Sequence, residues 1–279
     1  MGIGTFTRVP RGFFNTYRAL PLESMTHSEN PADLSPSLPA LMDLQSDVRE
    51  YFGWSESDDF ESAQEMLLNV ENAFVEKWSR HNRAVSLSSL FRRLVIREAR
   101  VAILGAAIEP DELVQILSEP MLIVAADGAA GVISEIPETL SEKAWSRVAC
   151  MVSDGDGGEG TNQAVRRSIP IILHAHGDNR QDWDSLLEMA RNQVNPPELV
   201  LTHQTTREIP GMHNPGGFTD GDRAACFLTA LGVRKNQIKM LGTRSDVIGR
   251  WSGITQEQTK MKKLQWMKKI LTIQGLWAD

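Results

Sequence analysis

From residue 100 onward the chain alternates between short, nearly continuous apolar runs and longer stretches with apolar residues every three or four positions. The runs are Val101–Leu104, Met121–Ala125, Val148–Val152, Ile169–Leu173, Leu199–Leu201 and Ile238–Leu241. Strands covered on both faces read this way, because neither face needs polar side chains. Asp111–Ser118, Gly128–Glu135, Gly160–Arg167, Asp182–Gln193 and Gly221–Leu231 are the helix candidates between them. This alternation predicts an α/β fold, a doubly wound, mostly parallel sheet. A last helix, Gln256–Ile273, carries Leu264, Met267, Ile270 and Leu271 on one side. Its lysines at 260, 262, 263, 268 and 269 read as a solvated face.

The pattern upstream is different. Phe60, Ala63, Leu67, Val70, Phe74 and Trp78 recur at helical spacing, and Ser55 or Ser57 before Asp58 and Asp59 supplies an N-cap. Leu87–Ala99 reads as a second helix, so residues 47–99 form a small helical unit ahead of an α/β domain at 100–279. Residues 1–46 hold five of the 13 prolines and are expected to form an irregular arm.

Composition narrows the function. With 41% hydrophobic and 23% charged residues the chain is globular, not disordered. A net charge of −7 argues against a non-specific nucleic-acid binder, which needs a dense basic face. No apolar run approaches the roughly 18 residues of a membrane span, and no signal-like apolar stretch stands in the first thirty residues. Cys150 and Cys226 cannot build a disulfide framework and read as buried thiols of a cytoplasmic protein. The expected partners are small molecules, with no nucleic acid and no membrane. Trp251, Trp266 and Trp277 leave a homo-oligomer contact open beside ordinary core packing.

Several strand ends run into polar, mostly acidic motifs. These are Ala126-Asp127-Gly128-Ala129, Ser153-Asp154-Gly155-Asp156-Gly157, His174-Ala175-His176-Gly177-Asp178-Asn179, Thr202-His203 and Gly242-Thr243-Arg244-Ser245-Asp246. Ligands of open α/β sheets bind outside the carboxyl ends of the strands, so these motifs would pool around one crevice. A single Asp-Gly after a strand is ordinary turn chemistry. Asp154-Gly155-Asp156 is more specific, since two carboxylates flanking a glycine suit Mg²⁺. A second Asp-x-Asp lies in Gly216-Gly217-Phe218-Thr219-Asp220-Gly221-Asp222-Arg223, where Asp220 could also cap a helix. Walker-type phosphate loops and nucleophile elbows are absent, and the histidines lack the partners of a zinc site. Asp127, Asp154, Asp156, Asp178 and Asp222 could not all stay ionised together without a cation. Metal-assisted transfer from a polyphosphate fits that chemistry.

The ordered set Val152–Gly157, His174–Asn179 and Gly217–Ala224, with Ala126–Ala129 and Gly242–Asp246, resembles the archaeal 6-hydroxymethyl-7,8-dihydropterin pyrophosphokinase family. The resemblance runs over roughly residues 50–275, including Phe52-Gly53-Trp54, and extends to the core of thiamin pyrophosphokinases. It implies transfer of the β,γ-diphosphate of ATP to the hydroxymethyl group of a reduced pterin, with Mg²⁺ present and AMP released. It implies that Asp127, Asp154, Asp156 and Asp178 surround Mg²⁺ and ATP, and that Asp154, Asp156, Asp178 and Asp222 carry the catalysis. Gly128, His176, Asn179, Thr202, Gly217, Thr219, Asp220, Arg223, Arg244 and Ser245 join Asp127 as candidates for holding nucleotide and acceptor. Either Asp178 or Asp222 would orient the acceptor hydroxyl. The chain departs from the family at Gly105-Ala106-Ala107-Ile108-Glu109-Pro110, where a Gly-x-Gly-Pro-Ser loop is usual. The alternatives are a pyrophosphokinase for thiamin or another small alcohol, and a non-catalytic or sugar-handling relative.

Overall fold

A computed structural model describes Met1, residues 33–253 and residues 256–277. Most of the expected N-terminal arm lies outside the described residues. Its end does not: helix α1 (Ala40–Phe52) begins directly after Pro39, so the last residues of the segment expected to be irregular are helical. A proline at that place loses nothing, because the first helical N–H groups have no intrahelical partner. Gly53, at φ 70°, ends α1 by donating to Arg49 and Glu50 carbonyls.

Helix α2 (Glu56–Asn72) starts at Ser55, whose side chain accepts from the Ser57 N–H. The expected apolar face does not run on unbroken to Trp78. Phe74 takes φ 54° and is fully exposed, while Trp78 sits in a separate 3₁₀ turn with Nε1 donating to Pro197 O at 2.9 Å. Helix α3 (Arg80–Phe91) then runs into one π-helical turn, Arg92–Ile96.

The sheet follows as β1 (Arg100–Leu104), α4 (Pro110–Ile116), β2 (Met121–Ala126), α5 (Glu138–Arg147), β3 (Val148–Ser153) and α6 (Gly158–Arg166). It continues with β4 (Ile171–Ala175), α7 (Arg180–Arg191), β5 (Leu199–His203), α8 (Asp220–Leu231), β6 (Ile238–Leu241) and α9 (Glu257–Gln274). The strand order is β5-β4-β3-β2-β1-β6, and every pairing is parallel. Alternate strand residues face opposite layers. Ala102, Leu104, Ile123, Met151 and Leu173 pack towards α2 and α4–α7, while Val101, Ile103, Val124, Val152 and Ile172 pack towards α3, α8 and α9. The doubly wound expectation is met.

Three local expectations change. The fourth strand starts at Ile171, not Ile169, because Pro170 has no N–H for the ladder. Asp127–Glu135 is a 3₁₀ segment instead of an α-helix. Helix α5 was not foreseen, since only Ala144 and Trp145 of its ten residues are buried and no apolar stripe marks it. Both cysteines are buried and free. No helix among the described residues is long and apolar enough to cross a membrane.

One topological detail positions the site. After β5 the chain crosses back to place β6 beside β1, on the side opposite β2. The connections leaving β1 and β6 therefore diverge, and a crevice opens over their carboxyl ends. Gly105 and Gly242 follow these two strands so closely that a Cβ on Gly105 would lie 2.8 Å from the Gly242 carbonyl oxygen.

Candidate active site

The crevice is a cleft of about 930 Å³ of empty space, open to solvent. Its walls are the turns after β1 and β6, the ends of β2, β3 and β4, the start of α8 and one side of α9. Asp127, Asp154, Asp156, His176, Thr219, Asp220, Arg223 and Arg244 all line it. Side chains separated by more than a hundred residues meet on one rim.

Asp127 ends β2 in a left-handed conformation, φ 47°, which turns its carboxylate under the cleft floor. Its Oδ1 accepts from Ser153 Oγ at 2.5 Å and from Thr161 Oγ1 at 2.9 Å. Burial, then repulsion from Asp220, Asp154 and Asp156, pushes its carboxyl well above the usual range. Asp156 is raised by burial and by Asp154. Asp220 rises to about 7, chiefly through burial and then through Asp154.

Asp154 behaves oppositely. Its Oδ2 lies 3.2 Å from both His176 Nε2 and Arg223 Nη1. Burial works against its charge, but the His176 hydrogen bond and the two neighbouring cations hold it well below the ordinary carboxylate range. His176 places its other nitrogen, Nδ1, 2.5 Å from Asp178 Oδ1. Burial opposes protonation of the imidazole, yet the bonds to Asp154 and Asp178 lift it to about 9. Asp178 falls to about 2 through the same His176 bond. His176 is thus an imidazolium bridging two carboxylates.

One oxygen of Asp127, Asp154 and Asp156 each comes within 4.8 Å of the others. The second oxygen of Asp154, Oδ1, is buried and has no hydrogen-bond partner. Three hard oxygen donors, an orphaned oxygen and unrelieved like-charge repulsion fit a small divalent cation such as Mg²⁺. Asp178, expected to join this group, lies outside it: its carboxylate stands beyond His176 and is 69% exposed. It lines the adjoining outer cleft together with Asn179, Asp182 and Trp54.

Several expected site residues hold the frame instead of facing the cleft. Asp222 is fully buried, and its oxygens accept from Phe218 N–H at 2.6 Å, Thr219 N–H at 2.8 Å and Thr219 Oγ1 at 2.5 Å. This is the capping box of α8, which leaves Asp222 no oxygen for an acceptor hydroxyl. Asn179 donates to the carbonyls of Asp154 and His174, each at 2.8 Å, and so ties β3 to β4. Thr202 is buried against His174 Nδ1, at 3.0 Å. Gly217, at φ 95°, lets the preceding loop pass Arg223, whose Cα would stand 2.7 Å from any added Cβ. Gly128 packs on the Gly157 backbone, where a Cβ would meet Gly157 O at 2.7 Å. Ser245 accepts at its carbonyl from Gln265 Nε2 at 2.9 Å; Arg244, by contrast, lines the cleft and pairs with Asp246 at 2.6 Å.

Other lining residues were missed. Lys260 and Lys263, read as solvated, point into the cleft. Their spacing relative to Leu264 and Met267 puts them on the buried side of α9, a signal that was present in the sequence. Lys263 Nζ stands 5.2 Å from the ring centre of Trp54 and 5.9 Å from that of Phe218. Trp54 stacks on Phe52 at 4.6 Å and is brought in by the turn after α1. Gln204, just beyond β5, reaches Arg223.

Comparison with known proteins gives a consistent picture. No protein-family model matches the chain. Three archaeal proteins named 6-hydroxymethyl-7,8-dihydropterin pyrophosphokinase are similar to it. The one from Methanothermobacter thermautotrophicus is 34% identical over 123 residues, 42% of this chain and 44% of its own length. That from Pyrococcus furiosus is 30% identical over 155 residues, covering 53% of this chain and 59% of its own length. That from Methanocaldococcus jannaschii is 30% identical over 193 residues, 65% of this chain and 69% of its own length. The chain thus spans about half the length of the first two relatives and two thirds of the third.

Proposed function

The chain belongs to the 6-hydroxymethyl-7,8-dihydropterin pyrophosphokinase family, and on that premise we propose that it carries the family's reaction. It moves the β,γ-diphosphate of ATP to the hydroxymethyl group of 6-hydroxymethyl-7,8-dihydropterin and releases AMP. Such a step serves tetrahydromethanopterin or folate synthesis in the cytoplasm. The observation that carries this reading is the meeting of Asp127, Asp154 and Asp156 beside an orphaned Asp154 oxygen, at the carboxyl ends of β2 and β3, next to the switch point between β1 and β6.

Asp127, Asp154 and Asp156 would hold Mg²⁺, which supplies charge neutralisation on a triphosphate when bound. The residues of the chain do the rest. The Gly105–Ala107 and Gly242–Arg244 turns, which line the cleft on the β1 and β6 side, accept the nucleotide. Arg223, Lys260 and Lys263 face the phosphates from the opposite wall and draw off the charge that develops on AMP as it departs. His176, protonated between Asp154 and Asp178, adds positive charge on the same side. The acceptor lies in the outer cleft against Trp54, so that its hydroxyl approaches the β-phosphorus in line. Of the two carboxylates considered for orienting that hydroxyl, Asp178 has an exposed oxygen and Asp222 does not.

The test is an assay with ATP, Mg²⁺ and the reduced pterin, following the nucleotide product. Acceptor-dependent AMP is expected. ADP in its place would make the protein a simple kinase, and AMP only with thiamin would move it to the other acceptor class. ATP binding with no turnover of any acceptor would leave a non-catalytic relative.

A further inference from the structure

We infer that Asp59, on the helical lead-in, is a positioning residue for the site: acting through Gln204, it sets the Arg223 guanidinium against Asp154. The catalytic sheet alone would then lack a working centre. The inference draws on the diphosphate-transfer reading for one arm of its test only.

Asp59 is 3% exposed, Gln204 4% and Arg223 4%. Gln204 Nε2 donates to both oxygens of Asp59, at 3.1 Å and 3.0 Å. A carboxylate only accepts, so it fixes which way the Gln204 amide faces. With its NH₂ spent on Asp59, the amide must turn Oε1 towards Arg223, where Nη2 donates at 3.3 Å. The other arm of the guanidinium, Nη1, is then aimed at Asp154 Oδ2, 3.2 Å away. A reversed amide would set donor against donor at Arg223.

The relay is also held from outside. Arg49, from α1, donates to the Gln204 carbonyl at 2.7 Å and lies 3.6 Å from Asp59. Asp59 Oδ1 accepts the Gly177 N–H at 2.8 Å, which pins the turn carrying His176. Two helices that precede the sheet therefore fix both cations that bear on Asp154.

Stability alone gives little reason for such a chain. Burying two guanidinium groups, a carboxylate and an amide costs free energy that apolar residues of similar volume would avoid. Moreover, Arg223 Nε is buried with no partner, so the network is not even fully satisfied. A guanidinium held at fixed reach from a cleft carboxylate is instead the kind of preorganised charge that phosphoryl chemistry uses.

The experiment is a double-mutant cycle on kcat with Asp59→Asn, Arg223→Lys and the pair. Lysine keeps the charge but cannot bridge Gln204 and Asp154. Asp59→Asn in the wild-type background should lower kcat tenfold or more, and in the Arg223→Lys background less than twofold. Equal losses in both backgrounds would overturn the inference, because a merely structural residue acts independently of Arg223. If Asp59→Asn does not fold, Gln204→Met cuts the same relay without adding charge and enters the same cycle. The second readout needs no activity: the side-chain Nε–H resonance of Arg223, assigned by its loss in Arg223→Lys. Its exchange with water should quicken tenfold or more in Asp59→Asn and in Gln204→Met. Should the wild type release no AMP with the pterin, the proposed function fails, while this resonance still decides the relay; no change in exchange refutes it.

Discussion

Arg223 Nη1 stands 3.2 Å from one oxygen of Asp154, and the other oxygen of that carboxylate is buried without a partner. Asp154 is therefore half neutralised by the protein and half left open. Asp127 and Asp156, its companions in the cluster, have no cation bonded to them among the described residues.

The contrast gives opposite stability predictions within one site. Asp156 is destabilised by burial and by Asp154. Asp156→Asn removes a repelling charge, so the metal-free protein should melt at the same temperature or higher. Turnover should nevertheless drop at least about a hundredfold, the scale of losing one well-placed charged group. Calorimetric melting and AMP release check the two halves. Near-normal activity would remove Asp156 from the site.

Loading Mg²⁺ should expel protons. Burial and Asp154 push Asp220, beside the cluster, up to about 7, and Asp127 and Asp156 are raised as well, so without metal these carboxyls retain protons that a dication displaces. Titration calorimetry near pH 6.5, in buffers of different ionisation enthalpy, should show net proton release. Apparent Mg²⁺ affinity should climb as pH rises through 7. A buffer-independent heat would contradict the donor set.

Gly157 tests the geometry directly. A Cβ there would lie 2.2 Å from Asp127 Oδ2 and 2.3 Å from both Gly128 N and Thr161 Oγ1. Gly157→Ala should cost about 1–3 kcal/mol, as overpacking does, and displace Asp127. Denaturant unfolding should register the loss, and Mg²⁺ affinity should fall with it.

Acid sensitivity should trace partly to His203, away from the cleft. Burial, followed by the charge of His213, lowers its imidazole from 6.5 to about 4. The folded state thus binds this proton less readily than the unfolded chain does. Stability from this group is present above 6.5 and is lost as pH falls towards 4. Between pH 7 and pH 5 the loss should be about 2 kcal/mol. Urea midpoints for the wild type and His203→Gln at both pH values should differ by that slope.

Much of this architecture is legible in the residue order. Buried parallel strands are apolar on both faces, so Val101–Leu104 and Val148–Val152 stand out, and the acids that follow them mark the rim. The capping pattern at Thr219 and Asp222 is legible too, three residues apart, and it competes with a catalytic role for Asp222. Other features have no local signature. Helix α5 is polar nearly all round. Asp59 and Gln204 look like surface residues until α2 lies across the end of β5. Lys260 and Lys263 share a run with three other lysines, and what marks them is that they stand four residues before the buried Leu264 and Met267.

An all-parallel sheet gives the molecule a working end and an idle one. Glu119 pairs with Arg100 at 2.8 Å and with Lys239 at 3.5 Å on the amino-terminal side of β1 and β6. One strand length, about 15 Å, separates that corner from the crevice. A dye or tether fixed to Arg100 or Lys239, replaced by cysteine, would leave substrates unhindered. The same corner offers an attachment point for surface capture with the mouth facing outward.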